Sequence, residues 1–348
     1  MAAGLAACGS EGTTGPSPQP SPRTYVMGFS AIPPRPDTAL ALRTIDTWAT
    51  RADAALMLCE PPWARLLAGE DAEALVRANE LGLANYYRAK GLRLVASIDA
   101  TNGLDRASDA AGLMELGRSL TEPAVRAAYV RYVAAFAAVI RPEWLGVASE
   151  TNLVRALAPA ELYQALVEAA GAAAVEARRA APGLRLFTTV QVETAWGRLP
   201  STGGFVGVAR DRRDFAFSES LGLSSYPYLG GFAEPEDLPL DYYTCLLEGA
   251  SLPLMVIEGG WTSTSLGSIV SSPDKQRRYI ERHMRILDAS RAAGVFQITF
   301  TDLDLTSIAV PAGSILPLFA SLGLVDVNLA PKPALAAWDA TFRRPWRQ

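Results

Sequence analysis

The segment "EWLGVASETNL" (143–153) joins a short apolar run to an abrupt polar end at Glu150. Residues 144–149 are apolar or small, which is typical of a strand buried on both faces of a parallel sheet. A second segment, "LPLMVIEGGWTS" (252–263), has the same pattern and turns polar at Glu258. Because the carboxyl ends of parallel strands meet at one edge, we expect the two glutamates to lie together and to take part in one reaction.

Similar apolar runs recur along the whole chain from Tyr25 onward. With the two segments above they predict eight strands, at 25–30, 53–59, 92–98, 144–149, 184–190, 221–226, 253–257 and 295–300. Helical patterns lie between them; one carries a stripe of Val125, Tyr129, Val133, Phe136 and Ile140. Strands that alternate with helices or long loops predict one (β/α)8 TIM barrel over residues 23–348. A doubly wound sheet is the alternative, although no G-x-G-x-x-G follows the first strand.

Composition narrows the class of ligand. The net charge is −4 and no basic run occurs, which argues against nucleic acid or an anionic membrane as the main partner. The single histidine, His283, lies in a helical pattern between arginines, and we expect it on a helix surface. The three cysteines show no metal-binding spacing, so we predict neither a metal nor a cofactor. We expect a monomer.

The N-terminal segment, residues 1–22, differs in composition from the rest. "LAAC" (5–8) followed by Gly9 resembles a bacterial lipobox, which implies lipidation of Cys8, and residues 9–22 have the composition of a flexible tether. This predicts an extracytoplasmic protein, lipid-anchored or secreted; a chance match would leave it cytoplasmic. Elsewhere we expect no apolar run of the about 18 residues that a membrane-spanning helix needs.

Polar and aromatic side chains follow the predicted strands. The carboxylates and aromatics predominate, and no Arg or Lys is expected at this end of the barrel. Carboxylates accept hydrogen bonds from hydroxyl groups, and aromatic faces cover the C–H faces of sugar rings. The pattern therefore favours a neutral, hydroxylated ligand. The residues at these strand ends include Ser30, Glu60, Trp63, Asp99, Asn152, Gln191, Glu193, Trp196, Tyr226, Tyr228, Trp261, Asp302 and Asp304.

Four motifs resemble those of the clan A glycoside hydrolases, the retaining barrels with catalytic glutamates after strands four and seven. "VASETN" looks like their acid/base segment and "VIEGGW" like their nucleophile segment. Two further segments are also similar to segments of these enzymes: "SSYPY" (224–228) and, near the C-terminus, "GLVDVNLAPKPALAAW" (323–338). Glycoside hydrolase family 53, the endo-β-1,4-galactanases, looks nearest. Ser149 departs from the clan, which usually has asparagine before the acid/base.

The resemblance implies a role for each candidate residue. Glu150 would be the acid/base, Glu258 the nucleophile, and Tyr226 the hydrogen-bond donor that orients Glu258. The substrate would be a β-linked polysaccharide or oligosaccharide, galactan- or mannan-like. Rings for stacking on sugars would come from Trp63, Trp196 and Trp261, and partners for hydroxyl groups from Asp99, Asn152 and Asp302.

Other interpretations stay open at this point. Both glutamates could serve only as caps of the following helices, and Glu60 or Glu193 could replace a member of the pair. Asp304 is expected to cap a turn. A carbohydrate-binding lipoprotein without turnover is the alternative function, which Ser149 keeps open. A lyase or aldolase is disfavoured because the only lysines, Lys90, Lys275 and Lys332, fall outside the predicted strands.

Overall fold

All eight predicted strands form one closed parallel barrel in the computed structural model, which describes residues 21–199 and 203–347. Each strand pairs with its successor, and the first pairs with the eighth. The TIM-barrel prediction is confirmed and the doubly wound sheet is excluded, because that sheet would stay open. The strands are β1 (Val26–Ser30), β2 (Ala54–Cys59), β3 (Arg93–Ile98), β4 (Trp144–Gly146), β5 (Arg185–Gln191), β6 (Ser220–Ser225), β7 (Leu254–Gly259) and β8 (Gly294–Gln297).

Helices surround the barrel, with one interruption. Between β6 and β7 the chain forms three short 3-10 helices, at Pro227–Gly230, Pro235–Asp237 and Thr244–Leu247, in place of an α-helix; a fourth, Leu316–Phe319, follows β8. The α-helices are α1 (Thr38–Ala49), α2 (Trp63–Leu67), α3 (Ala72–Asn79), α4 (Leu81–Ala89), α5 (Ala111–Glu115), α6 (Pro123–Ile140), α7 (Thr151–Leu157), α8 (Ala160–Ala180), α9 (Val192–Ala195), α10 (Ala209–Asp214), α11 (Pro273–Ser290) and α12 (Pro333–Phe342).

Apolar side chains form two cores, one between strands and helices and one inside the barrel. Alternate residues of each strand point inward, and these inward-facing residues form the inner core. Glycine leaves room there for the large rings: a Cβ at Gly146 would lie only 2.6 Å from the Phe187 ring. The inner core consists of Val26, Ala54, Leu56, Val95, Trp144, Phe187, Met255, Ile257 and Phe296.

Helix α6 shows how the apolar pattern is used. Its predicted stripe of Val125, Tyr129, Val133, Phe136 and Ile140 is fully buried. By length and composition alone α6 is apolar enough to cross a membrane, so the expectation that no such segment occurs was wrong. In the structure half of its residues, the apolar stripe among them, are buried in the core between helices and strands, which accounts for the composition.

Two further expectations have different outcomes. His283 is buried rather than on the surface; its Nε2 lies 2.9 Å from the Tyr243 hydroxyl, and its ring stacks on Tyr279. Burial lowers the pKa of His283 to about 3, so the imidazole is neutral. The lipidation site Cys8 and most of the tether fall on residues 1–20, outside the described residues, and stay predictions.

Candidate active site

Glu150 lies just beyond β4, at the start of α7. Its backbone is left-handed, with φ 45°, and its amide donates a hydrogen bond to Thr189 Oγ1 at 2.7 Å. Left-handed backbone is uncommon for a residue with a side chain and is often found at functional sites. Glu150 occupies the N-cap position of α7, but its side chain makes no capping hydrogen bond. The carboxylate therefore does not serve as a helix cap.

A β-bulge sets the direction of Glu258 near the end of β7. Leu223 of β6 pairs with Val256, whereas the next residue, Ser224, pairs with Glu258, so Ile257 is an extra residue. A bulge of this kind bends the strand and re-aims the side chains around it. Both Ile257 and Glu258 line the cavity at this end of the barrel.

Glu150 and Glu258 meet in a cavity of about 620 Å³ at the carboxyl ends of the strands. The Tyr226 hydroxyl donates a hydrogen bond of 2.7 Å to Glu258 Oε1, and Ser224 Oγ lies 3.4 Å from the same oxygen. The structure thus brings the three principal candidates together. Other polar residues that line the cavity are Glu60, Ser97, Asp99, Thr101, Asp105, Arg106, Ser149, Thr189, Gln191 and Thr299.

Arg106 is the site residue that sequence reasoning missed. Its Nε donates to Glu150 Oε2 at 2.8 Å, and its Nη1 donates to Asp99 Oδ2 at 2.6 Å and to Thr101 Oγ1 at 3.0 Å. The side chain is only 5% exposed. The expectation of a cavity without cations was therefore wrong. A strand pattern predicts only the residues that follow the strand directly, and Arg106 lies further along the loop that follows β3.

The electrostatics of Glu258 reflect this crowding of charge. Burial and the nearby charge of Glu150 raise the pKa of Glu258 to about 7, while the Tyr226 hydrogen bond and the Arg106 charge act in the opposite direction. Near neutral pH Glu258 therefore keeps part of its proton, because its ionisation beside Glu150 in a buried place is unfavourable. A pair of carboxyl groups that cannot both ionise is suited to acid–base chemistry.

The raised pKa predicts that Glu258 destabilises the folded protein at alkaline pH. The unfolded chain loses this proton near the ordinary value of 4.5, the folded protein only near 7, so stability falls across that window as pH rises. Glu258→Gln removes the penalty. We expect chemical denaturation to give a variant about as stable as wild type at pH 4.5 and more stable by about 3 kcal/mol at pH 8.

Glu115→Gln, a change at an exposed position outside the cavity, is the control and should show no such trend. The buried Glu193 is present in both proteins, so its own titration cancels in the comparison. A difference between wild type and Glu258→Gln that stays constant from pH 4.5 to 8 would contradict the raised pKa.

Glu193, one of the rival carboxylates, lies behind the cavity rather than in its lining. It is fully buried and accepts hydrogen bonds from the Tyr226 amide at 3.0 Å, the Tyr242 hydroxyl at 2.9 Å and the Ser225 hydroxyl at 3.2 Å. Burial raises the pKa of Glu193 to about 7. Its contact with the Tyr226 backbone makes it a support for the tyrosine that holds Glu258.

The candidate hydroxyl-binding residues separate into one that lines the cavity and two that do not. Asp99 lines it, beside Arg106. The Asn152 side chain instead pairs with the backbone of Gln191, donating to its carbonyl and accepting from its amide, each at 2.8 Å. Asp302 accepts a hydrogen bond of 2.7 Å from Lys332 Nζ. Asn152 and Asp302 therefore have structural partners in place of a ligand.

The three tryptophans are also placed differently from the expectation. Trp63 and Trp261 are 2% and 1% exposed, so neither presents a face to the cavity. Helix α2 begins at Trp63 and packs the ring beside Tyr129, while Trp261 Nε1 donates to Ser271 Oγ at 3.2 Å. Trp196 is half-buried and stacks on Tyr242 with ring centroids 5.3 Å apart. None of the three lines the cavity.

Two other carboxylates complete the comparison. Glu60 lines the cavity at an exposed position, and partial desolvation raises the pKa of its carboxyl group. Asp304 accepts hydrogen bonds from the amide and hydroxyl of Thr306, which confirms its predicted place in a turn.

Within residues 21–199 and 203–347, no group of three or more His, Cys, Asp or Glu side chains is arranged to hold a metal ion.

Fold and site together define a TIM barrel with a glutamate after β4 and another in β7. Solved structures with this fold include GH5_18 from Streptomyces cattleya in complex with GlcNAc, at 17% identity and a TM-score of 0.66, covering 94% of this chain and 83% of that one. An exo-β-1,4-mannosidase from Opitutaceae bacterium strain TAV5 is 16% identical with a TM-score of 0.67, and the match covers 92% of this chain and 59% of that one. Xylanase 10B from Thermotoga maritima is 15% identical with a TM-score of 0.61, and the match covers 92% of this chain and 95% of that one.

Because these identities are low, the likenesses establish only that the fold is shared. No protein-family model and no curated protein sequence matches the chain.

Proposed function

We propose that this chain is a retaining glycoside hydrolase that cleaves a β-linked sugar by double displacement. The observation that carries the proposal is the pair Glu150 and Glu258 in one cavity, with the Tyr226 hydroxyl hydrogen-bonded to Glu258. The mannosidase and the xylanase among the structural neighbours support the same class of reaction.

The first step breaks the glycosidic bond. Glu258 attacks the anomeric carbon while Glu150 donates a proton to the departing oxygen, which leaves a glycosyl ester on Glu258. This step requires the proton on Glu150 and an ionised Glu258, although the pKa of Glu258 is raised in the free protein. The Tyr226 hydrogen bond favours this distribution because it stabilises the ionised form of Glu258.

The second step releases the sugar. Glu150, now ionised, accepts a proton from water as the water attacks the anomeric carbon, and Glu258 departs as a carboxylate. Arg106 stabilises the negative charge on Glu150 at this stage through its hydrogen bond to Oε2. Two inversions at the same carbon leave the configuration unchanged, so the sugar is released with the anomeric configuration of the substrate.

The finer assignments rest on the sequence motifs. A galactan- or mannan-like substrate, and the likeness to family 53, are proposals that the motifs support. Export and lipid attachment through Cys8 are proposals supported by "LAAC" and the composition of the segment that follows.

A carbohydrate-binding protein without turnover is the second candidate function. Ser149, which stands where the clan usually has asparagine, lines the cavity, and its Oγ lies 3.4 Å from Ser97 Oγ. A serine side chain is shorter than asparagine and has a single donor, so it holds a sugar hydroxyl less firmly. The presence of both glutamates favours turnover over binding alone.

The proposal is tested by incubating the protein with a panel of aryl β-glycosides and β-linked polysaccharides. Proton NMR at early times should show a released sugar in the β configuration. Release of the α anomer first would contradict double displacement. Binding of an oligosaccharide by calorimetry without cleavage of any substrate would favour the binding protein.

A further inference from the structure

The cavity has a polar floor and an apolar wall. The carboxylates, Arg106 and Tyr226 form the floor. Around them lies a set of aliphatic side chains, here called the aliphatic wall: Leu104, Leu153, Leu157, Leu303, Ile315 and Leu316. Three members are strongly exposed, Leu104 at 46%, Leu157 at 44% and Ile315 at 41%. Single exposed apolar residues are common, but several around one reactive site indicate a binding surface.

Part of the aliphatic wall lies on the Glu150 side of the cavity. Leu153 and Leu157 follow Glu150 on α7, one helical turn apart, and both line the cavity. Leu104 belongs to the loop that carries Arg106, the residue hydrogen-bonded to Glu150. Because the acid donates its proton to the leaving oxygen, this side of the cavity faces the leaving group.

The Glu258 side is different because it carries aromatic rings. Tyr226 and Phe319 both line the cavity and make an edge contact with ring centroids 4.8 Å apart. An aromatic face can cover the C–H face of a sugar ring. On the Glu150 side, Leu104, Leu153 and Leu157 offer neither an aromatic face nor a hydrogen bond to a hydroxyl group. The nearby Asp105 already accepts hydrogen bonds from the Ala107 amide and the Ser108 hydroxyl. A second sugar packed on the three leucines would therefore leave hydroxyl groups against hydrocarbon, which is unfavourable.

We infer that the substrate carries its sugar on an aliphatic alcohol, so that the leaving group is an alkyl chain that packs against the aliphatic wall. The inference rests on the proposed glycoside hydrolysis and names its substrate class, an alkyl glycoside in place of the galactan- or mannan-like chain that the sequence motifs suggest. The bond between the anomeric carbon and the alkyl oxygen breaks, Glu150 supplies the proton for the alcohol, and water supplies the hydroxyl group of the released sugar. No oxidant, reductant or further reactant takes part.

The test compares methyl, butyl and octyl β-glycosides of the sugar that the aryl panel selects, together with a disaccharide of that sugar. Burying one methylene is worth about 0.8 kcal/mol, so kcat/KM should rise by up to about fourfold for each added methylene. The octyl glycoside should also exceed the disaccharide. Vesicles that contain a long-chain glycolipid of the same sugar distinguish a membrane lipid from a soluble alkyl glycoside as the source of the chain.

Leu157→Asn is the informative variant, since the position is exposed and the change should not prevent folding. It should lower the octyl-to-methyl ratio of kcat/KM about tenfold, whereas Leu116→Asn, at a similarly exposed leucine outside the cavity, should leave that ratio unchanged. A ratio near one in wild type, or preference for the disaccharide, would overturn the inference while leaving the proposed function intact. Failure to cleave even aryl glycosides would overturn both.

Discussion

Glu258→Ala is expected to lower hydrolysis of an aryl β-glycoside by about 10⁴-fold or more, because no other group can form the covalent intermediate. The substitution leaves a small space beside Tyr226, next to the position that the anomeric carbon would occupy. Added azide should enter that space, attack the anomeric carbon directly and restore part of the rate. The product should be a glycosyl azide of inverted configuration, identified by NMR.

Two comparisons make this result specific to Glu258. Glu150→Ala, tested with a substrate that has an activated leaving group, should also respond to azide but give a product of retained configuration, because Glu258 still forms the ester. Glu60→Ala changes another carboxylate of the same cavity and should show no azide product. An azide product of retained configuration from Glu258→Ala would contradict the assignment of the nucleophile.

Arg106→Met is expected to destabilise the fold at neutral pH by about 3 to 5 kcal/mol. The substitution keeps an unbranched side chain but leaves the partners of the guanidinium, Asp99 and Glu150, without their cation in a largely buried place. Removing one partner of a buried ion pair lowers the stability strongly because the remaining charge stays desolvated. Urea denaturation monitored by circular dichroism gives the free energy of unfolding.

Arg65→Met supplies the matched control. Arg65 pairs with Glu70 at 2.6 Å, but both side chains are about half exposed, and water screens a surface ion pair of this kind, so its removal should change the stability little. A loss of stability in Arg106→Met no larger than that in Arg65→Met would show that the Arg106 cluster is not a buried ion-pair network.

The fold could be predicted because its signal is local and repeated. Fully buried parallel strands appear as short apolar runs, and every one of the eight runs overlaps a strand of the barrel. The largest differences occur at β4 and β8, which end three residues earlier than predicted, at Gly146 and Gln297. An apolar run continues past the last ladder hydrogen bond because the residues after the strand are still buried.

The candidate site was predictable only where a residue follows a strand directly. Glu150, Glu258 and Tyr226 stand at strand ends, and strand ends converge in a barrel. Arg106 lies further along a loop, and its contact with Glu150 spans 44 positions of the chain, a distance that no local pattern encodes. The tryptophans stand near strand ends as well, yet the following turns direct Trp63 and Trp261 into the core.

The sequence alone thus determined the number and order of the strands and the approach of two glutamates, because apolar periodicity and strand order are properties of the chain itself. Only the tertiary structure decided which neighbouring groups face those glutamates. Four features depend on the packing of loops from different strands: the left-handed backbone at Glu150, the bulge before Glu258, the contact of Arg106 with Glu150, and the aliphatic wall. Long-range packing of this kind fixes the charge and the polarity of the cavity, and it leaves no periodic trace in the sequence.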